Sequence, residues 1–275
     1  MTEAVAAATP DQDMRAAGAA EKAAPISATG ASRLLSLDFT RGIAVMGILA
    51  ANIVAFGQPM IAYMWPEGFL TPHDATSDWM WVAQFVLIDG KMRGLFTLLF
   101  GAGMYLFLEK AWARKQGRWL QARRLFWLLA FGMVHFFFIW RGDILTLYAT
   151  CGFICLLFVK WGPKTQLGVG IFFYLVGAAI FSALAGMFYW IMELGGAKVL
   201  AEAGGQGGGP STPAEVRESF GVMKTQGLDI AQADASLIQS GDYFGWVHYN
   251  LTEHWVEPLT GFLFFGLETI PLILI

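Results

Sequence analysis

Long apolar runs alternate with short polar stretches along most of the chain. Runs of this kind are typical of helices that cross the roughly 30 Å of hydrocarbon in a bilayer. A shorter apolar helix at 79–88 is expected to end at the polar tripeptide Asp89-Gly90-Lys91 and to lie at the membrane interface. The pattern predicts an all-α polytopic membrane bundle with six spans, at 38–57, 92–108, 125–140, 144–159, 167–192 and 258–275.

Three other regions complete the predicted organisation. Residues 1–32 are rich in alanine with scattered charges, and they offer too little apolar surface to offset the entropy of ordering, which predicts a disordered tail. Residues 33–275 form the membrane domain, and its polar segment at 195–257 is expected to be a loop with short interfacial helices. The last apolar run reaches Ile275 without a polar or aromatic anchor, so we expect the domain to be truncated at its C-terminus.

Composition supports this interpretation. Of the 275 residues, 56% are hydrophobic and only 14% are charged, whereas a soluble domain carries about 25% charged residues. So few charges cannot cover a soluble core of this size. The net charge of −3 gives no electrostatic support for nucleic-acid binding. Cys151 and Cys155 lie four residues apart in an apolar run, which excludes a disulfide framework and a four-cysteine zinc site.

Basic residues predict the orientation. The segment 109–124 holds six lysine and arginine residues but one acidic residue. When this segment is placed in the cytoplasm, twelve of the 18 basic residues fall on the cytoplasmic side. The positive-inside rule therefore predicts a cytoplasmic N-terminus and an extracytoplasmic loop at 195–257.

One charged pair stands at the inner end of the first span. Asp38 and Arg41 are three residues apart, which places them on the same face of a helix. They could bind an anion at the cytoplasmic side, such as the phosphates of a nucleotide. The alternative is a salt-bridged anchor at the membrane interface, and the sequence leaves both interpretations open.

Polar residues near the outer ends of the spans are the candidates for catalysis. A membrane histidine must satisfy two ring nitrogens, and its titration range suits proton transfer. We predict one polar pocket with His135, Asp143 and Asn52 as catalytic residues and with Asp89 and Lys91 as substrate-binding residues. The alternatives are interhelical hydrogen bonds and ion pairs at turns.

Other histidines are weaker candidates. His73 follows Pro72 in an outer loop, and a turn is sufficient reason for that pattern. A second group could suggest a metal site, but its spacing is not that of a dense ligand motif, so we predict no metal site. Its members are His248, Glu253, His254 and Glu257.

Three long strings carry a family resemblance. In order and spacing they resemble the YeiB-like bacterial inner-membrane proteins, the domain-of-unknown-function 418 family, from about residue 33 to the end. This resemblance implies a multi-pass protein of the bacterial inner membrane, and family members continue through further membrane helices. The strings are LSLDFTRGIAVMGILAANIVAFG, DGKMRGLFTLLFGAGM and RRLFWLLAFGMVHFFFIWRGDILTLYATCGFI.

The first string is also similar to the start of two transmembrane acyltransferase groups, acyltransferase family 3 and the heparan-glucosaminide N-acetyltransferases. Leu37-Asp38 and Arg41-Gly42 match the LDGLRG-like motif of the first group, but Asn52 stands where that group has a histidine. The resemblance implies that acyl-CoA would bind with its phosphates near Arg41. His73 or His135 would then serve as the general base near the outer side.

Two function classes follow from the sequence. The first is acyl transfer from cytoplasmic acyl-CoA to an extracytoplasmic acceptor, with no permanently bound cofactor. The second is a transporter or channel for a small solute, because intramembrane polar residues also line transport paths. In both cases the partners are the lipid bilayer and a small molecule.

Overall fold

Helices account for most of the chain. The computed structural model describes residues 35–64, 66–192, 195–204 and 212–275. The predicted tail at 1–32 lies outside these residues, as do residues 205–211 of the polar segment. The described helices are α1 (Leu35–Gly57), α2 (Met60–Met64), α3 (Ala75–Gln84), α4 (Gly90–Ala113), α5 (Trp119–Phe138), α6 (Leu145–Phe158), α7 (Pro163–Met192), α8 (Gly196–Gly204), α9 (Pro213–Ser240), α10 (Tyr243–Glu253) and α11 (Glu257–Leu274).

All six predicted spans are helical. Only four helical stretches of the described chain, however, are both long enough and apolar enough to cross a membrane. Helices α5 and α6 are not among them. The first half of α5 carries Arg123 and Arg124, and α6 has 14 residues, which makes it only about 21 Å long. The structure thus supports a multi-pass membrane protein, and it supports four of the six spans. The four stretches are Leu35–Gly57, Ala75–Ala113, Pro163–Ile191 and Glu257–Leu274.

The predicted interruption at Asp89-Gly90-Lys91 is wrong. Helix α3 continues through a π-helical turn at Phe85–Asp89 into α4, so that Ala75–Ala113 is one helical stretch. The wider turn accommodates the polar residues without ending the helix. Asp89 is buried there and accepts a hydrogen bond from the hydroxyl of Tyr63.

Helix α11 lies at the centre of the bundle. It packs against α4, α6 and α7, while α5 packs on α6 and α1 packs on α4. Apolar side chains fill the space between these helices and form the main core. Its buried members are Met104, Leu108, Leu125, Tyr148, Cys151, Cys155, Leu156, Val159 and Ile273.

Close approach of α4 and α11 depends on Gly101. A Cβ atom at this position would lie 2.5 Å from the backbone oxygen of Ile273. Gly101→Val should therefore lower the free energy of unfolding by about 1–3 kcal/mol through overpacking, measured by denaturant titration in detergent micelles. Gly186→Val in α7 is the matched control, because Gly186 has open space around its Cβ position. Equal stability of the two variants would contradict this packing.

The polar segment after α8 contains a longer helix than predicted. Helix α9 has 28 residues, whereas the sequence pattern led us to expect short interfacial helices. Its start is fixed by a capping box in which Thr212 and Glu215 bond each other's backbone N–H groups. Its end is set by Gly241, whose φ of 72° suits a helix C-terminus.

Candidate functional site

A histidine and a carboxylate meet at the junction of α5 and α6. His135 Nδ1 lies 3.2 Å from Asp143 Oδ1, within hydrogen-bond distance. The Asp143 side chain is fully buried, whereas the His135 side chain is 30% exposed. The ring is not aligned with the carboxylate, so Nδ1 makes no hydrogen bond in the described chain. Because Nδ1 faces Asp143, Nε2 is the ring nitrogen that points away from the carboxylate.

The Asp143 carboxylate is held by the first turn of α6. Its Oδ1 accepts a hydrogen bond from the backbone N–H of Leu145 at 3.2 Å, and its Oδ2 accepts one from Thr146 at 2.7 Å. These two bonds satisfy N–H groups that a helix start leaves without partners. Asp143 therefore has a structural role at the start of α6 as well as its place beside His135.

Gly132 permits this close packing. It precedes His135 by three residues on α5, so both residues face the same side. A Cβ atom on Gly132 would lie 2.6 Å from the backbone nitrogen of Thr146 and 3.1 Å from Asp143 Oδ2. Only a residue without a side chain lets α5 touch the start of α6 in this way.

A ring of four charged or titratable side chains lies beside this pair. The Arg141 guanidinium forms an ion pair with Asp234, and His254 Nδ1 contacts the carboxylate of Glu257. Two distances of 3.9 Å close the ring, one between Arg141 and Glu257 and one between His254 Nε2 and Asp234 Oδ1. The ring therefore joins α9 and the start of α11 to the turn that carries Asp143.

Helix α10 is also fixed to the end of α5. The hydroxyl of Tyr243 donates to the backbone oxygen of Phe138 at 2.9 Å, and Asn250 Nδ2 donates to that of Phe137 at 3.4 Å.

The Asp234 side chain, in the charged ring, is only 8% exposed. Burial raises the pKa of Asp234, although the nearby Arg141 and His254 act in the opposite direction.

Asn52 and Lys91 are not joined to His135 by hydrogen bonds or ion pairs in the described chain. Asn52 Nδ2 donates to the backbone oxygen of Ile48, one turn earlier in its own helix, at 3.0 Å. Lys91 is exposed and donates to the backbone oxygen of Val86. Of the five residues expected in one pocket, the structure brings His135 and Asp143 together.

Asp89 has a partner that the sequence pattern does not indicate. Tyr63, in the short helix α2, donates its hydroxyl to Asp89 across 26 residues of sequence. Burial raises the pKa of Tyr63, and the hydrogen bond to Asp89 raises it further. The pair links the segment after α1 to the α3–α4 helix.

Asp38 and Arg41 form the expected pair at the start of α1. Arg41 Nη1 lies 3.2 Å from Asp38 Oδ1. The guanidinium also reaches α4, where Nη2 donates to the backbone oxygen of Leu99 at 3.4 Å. Both side chains remain about one third exposed, so they are accessible to a ligand.

One charged pair inside the apolar helices was not expected from the sequence. Arg93 of α4 lies 3.3 Å from Glu268 of α11, and its guanidinium lies over the ring of Phe265 at 4.8 Å. Close by, the hydroxyls of Thr97 and Tyr148 are 2.8 Å apart and both residues are buried. Glu268 could have been noticed as an isolated carboxylate within an apolar run.

The remaining histidines make weaker contacts. His73 Nε2 lies 3.9 Å from Asp78 Oδ1 in the exposed segment before α3. In the group that was considered and not predicted to bind a metal, His254 and Glu257 contact each other and belong to the charged ring, while His248 is exposed. Within the described part of the chain, no group of three histidine, cysteine or acidic side chains could hold a metal ion.

Three curated relatives share sequence with this chain. It is 40% identical over 152 residues to the uncharacterized protein YeiB of Escherichia coli (strain K12). The matched region covers 54% of this chain and 37% of YeiB. It is 41% identical over 151 residues to the uncharacterized protein YxaH of Bacillus subtilis (strain 168), covering 52% and 37%. An uncharacterized 39.9 kDa protein in the amylase 3′ region of Bacillus acidopullulyticus is 32% identical over 162 residues, covering 55% and 42%.

These relatives confirm the resemblance to YeiB-like proteins. The chain spans about two fifths of the length of the curated relatives it matches. All three are uncharacterized, so they bring no activity to this chain. No family model matches, and no solved structure matches.

Proposed function

We propose that this inner-membrane protein transfers an acyl group from cytoplasmic acyl-CoA to a hydroxyl or amine acceptor on the outer side of the membrane. His135 is the general base and Asp143 orients it. The observation that carries the proposal is the 3.2 Å approach of a partly exposed imidazole to a fully buried carboxylate. A general base held by a second, fixed group is a recurring arrangement in acyl transfer.

The reaction uses the free nitrogen of His135. When Nδ1 donates to Asp143, the lone pair on Nε2 accepts the proton of the acceptor O–H or N–H group as that group attacks the thioester carbonyl. The tetrahedral intermediate then breaks its carbon–sulfur bond. The departing thiolate takes the proton back from His135, which leaves the acylated acceptor and CoA. The negative charge of Asp143 stabilises the imidazolium formed between the two steps.

The donor end of the site would lie at Arg41. A groove with a volume of about 620 Å³ follows another side of α1 from Phe39 to Ala50, whereas the Arg41 guanidinium points to Leu99 of α4. Eleven residues of helix correspond to about 16 Å, and the lining is largely apolar. The phosphates would pair with Arg41, and the apolar groove would hold the acyl chain. The groove is lined by Phe39, Gly42, Ile43, Met46, Gly47, Ala50, Ile88 and Met92.

Helix α1 leads from this groove towards His135. Phe56, fifteen residues after Arg41 and therefore about 22 Å further along the helix, contacts Trp140 with ring centroids 4.7 Å apart. The indole of Trp140 in turn lies beside the His135 ring at 6.2 Å. These ring contacts support the proposal by linking the far end of α1 to His135 through Trp140.

Inverted membrane vesicles test the proposal. Their outer surface is the former cytoplasmic face, so added radiolabelled acetyl-CoA meets the Arg41 end of the protein. Vesicles that hold the protein should accumulate acylated product in the lumen, whereas vesicles with His135→Ala should not. Absence of transfer by the unaltered protein from acetyl-CoA and from longer acyl-CoA donors would overturn the proposal.

Transport is the second candidate, and the Arg93–Glu268 pair favours it. Charged side chains within apolar helices often mark a path for ions or solutes. Uptake of a solute into vesicles that requires an ion gradient, and that is lost in Glu268→Gln but not in His135→Ala, would favour transport over acyl transfer.

The proposal requires that the N-terminus and the basic segment 109–124 lie on the cytoplasmic side. Reporters fused after residue 32 and near residue 117 should be active only when the reporter works in the cytoplasm, because the basic segment 109–124 is expected there. A reporter fused at Ser240 should be active only when it works in the periplasm. A periplasmic signal from either of the first two fusions would contradict this topology.

A further inference from the structure

Helix α10 has three distinct faces. Val247, Asn250 and His254 at its C-terminal end are buried against the rest of the protein. Phe244, His248 and Leu251 recur at spacings of four and three residues and are exposed, so they form a second face. Glu253 is exposed on a third side, opposite Phe244, whereas the exposed Thr252 lies near the edge of the second face.

The second face exposes large apolar side chains, which is unfavourable in water. Phe244 is 82% exposed, the highest value of any large apolar side chain in the described residues. Leu251 and Trp255, the latter just past the end of α10, are 45% and 65% exposed. Phe244, His248, Leu251 and Trp255 are called the outer stripe below. An exposed apolar stripe of this size indicates a surface that another phase or molecule covers.

Exposed leucines also mark the next helix. Leu259 and Leu263 of α11 are 57% and 62% exposed. Helix α11 is one of the four stretches that are long and apolar enough to cross a membrane, and it begins at Glu257, close after the end of α10 at Glu253. The outer stripe therefore lies next to the end of a helix with exposed leucines that can face hydrocarbon.

We propose that α10 lies in the headgroup layer of the bilayer and inserts the outer stripe between lipids. Aromatic side chains are enriched at this level, and the imidazole of His248 can remain among the headgroups. The hydrogen bonds from Tyr243 and Asn250 to the end of α5 fix the depth of the helix. Glu253, on the side opposite Phe244, is left in water. A buried side, an exposed apolar side and an exposed charged residue opposite it are what an interfacial helix packed on a membrane bundle requires.

The lipid contact gives α10 a role that does not depend on acyl transfer. The helix connects α9 and the charged ring to α11, so its attachment to the headgroups holds the ring near the membrane surface. A second protein copy is the competing occupant of the outer stripe. The position of α10 next to the start of a helix that can cross a membrane favours lipid, because it places the outer stripe near the level at which such a helix leaves the bilayer.

Site-specific fluorescence tests the proposal. Cys151 and Cys155 are replaced by alanine, and single cysteines are introduced as Phe244→Cys or Glu253→Cys for labelling with an environment-sensitive dye. These two positions are nine residues apart and so point about 180° away from each other on the helix. In phosphatidylcholine liposomes, a dye at position 244 should show blue-shifted emission and quenching by nitroxide-labelled lipid, whereas a dye at 253 should show neither.

A second position protects the test from a local effect of the Phe244 substitution. Leu251→Cys on the same stripe should give the same quenching as Phe244→Cys. Equal, weak quenching at 244, 251 and 253 would overturn the proposal. Energy transfer between two labelled copies at 244, without lipid quenching, would assign the outer stripe to a dimer contact and would overturn it as well.

Discussion

Asp234→Ala is expected to lower the free energy of unfolding by about 3–5 kcal/mol, because it leaves the Arg141 guanidinium buried without its carboxylate. The two side chains are 8% and 11% exposed, so water cannot replace the lost partner effectively. Denaturant titration of the purified protein in detergent micelles measures the change. Asp229→Ala is the matched control, since Asp229 lies on the same helix but is exposed, and it should change stability by less than about 0.5 kcal/mol.

The double variant makes this prediction sharper. Burial raises the pKa of Asp234 in spite of Arg141, which shows that desolvation opposes the attraction within the pair. Removing both charges should therefore cost less than removing one. We expect Arg141→Met combined with Asp234→Leu to be more stable than Asp234→Ala alone. If the double variant loses the sum of the single losses, the two side chains do not interact.

His135→Ala should reduce acyl transfer by about 10²–10⁴-fold while the protein still inserts and folds. His135 is the only histidine whose ring is paired with Asp143 in the described chain. Without it, no group at this position can take the proton from the hydroxyl or amine that is acylated. His135→Gln keeps a side chain that can hydrogen-bond to Asp143 but cannot transfer a proton, so it should fold equally well and remain inactive. The vesicle assay with radiolabelled acetyl-CoA measures both variants.

Two comparisons separate catalysis from folding. His248→Ala should retain full activity, because His248 is exposed on another helix. Asp143→Asn keeps one oxygen, which can accept from the backbone N–H of Leu145 or of Thr146, and removes the charge beside His135, so it should lower activity more than stability. If His73→Ala abolishes transfer and His135→Ala does not, the assignment of the general base is wrong.

Local pattern predicts the helices of this protein well and their partners less well. The six apolar runs are helices because apolar length and composition are local properties. The His135–Asp143 contact could be predicted for the same reason, since the two residues are eight apart in sequence and a single turn separates their helices. The sequence pattern did not predict the continuous helix from α3 to α4. The polar Asp89 within it is hydrogen-bonded to Tyr63, which is 26 residues away in sequence.

The charged ring could not be derived from the sequence. Asp234 lies on a polar helix, and nothing local distinguishes it from Asp229 on the same helix. Its partner Arg141 is 93 residues away, so only the packing of α9 against the α5–α6 turn reveals the pair. Glu268 differs, because a single carboxylate in an apolar run is a local signal, although its partner Arg93 again depends on how α4 meets α11.

The short length of α6 changes the barrier that a substrate would meet. Its 14 residues span about 21 Å, roughly 9 Å less than the hydrocarbon thickness of an ordinary bilayer. Helix α6 packs against α5 and α11. A helix of this length cannot cross that thickness alone, so α5 and α11 would have to supply the remaining walls of any path for an acyl group past Asp143.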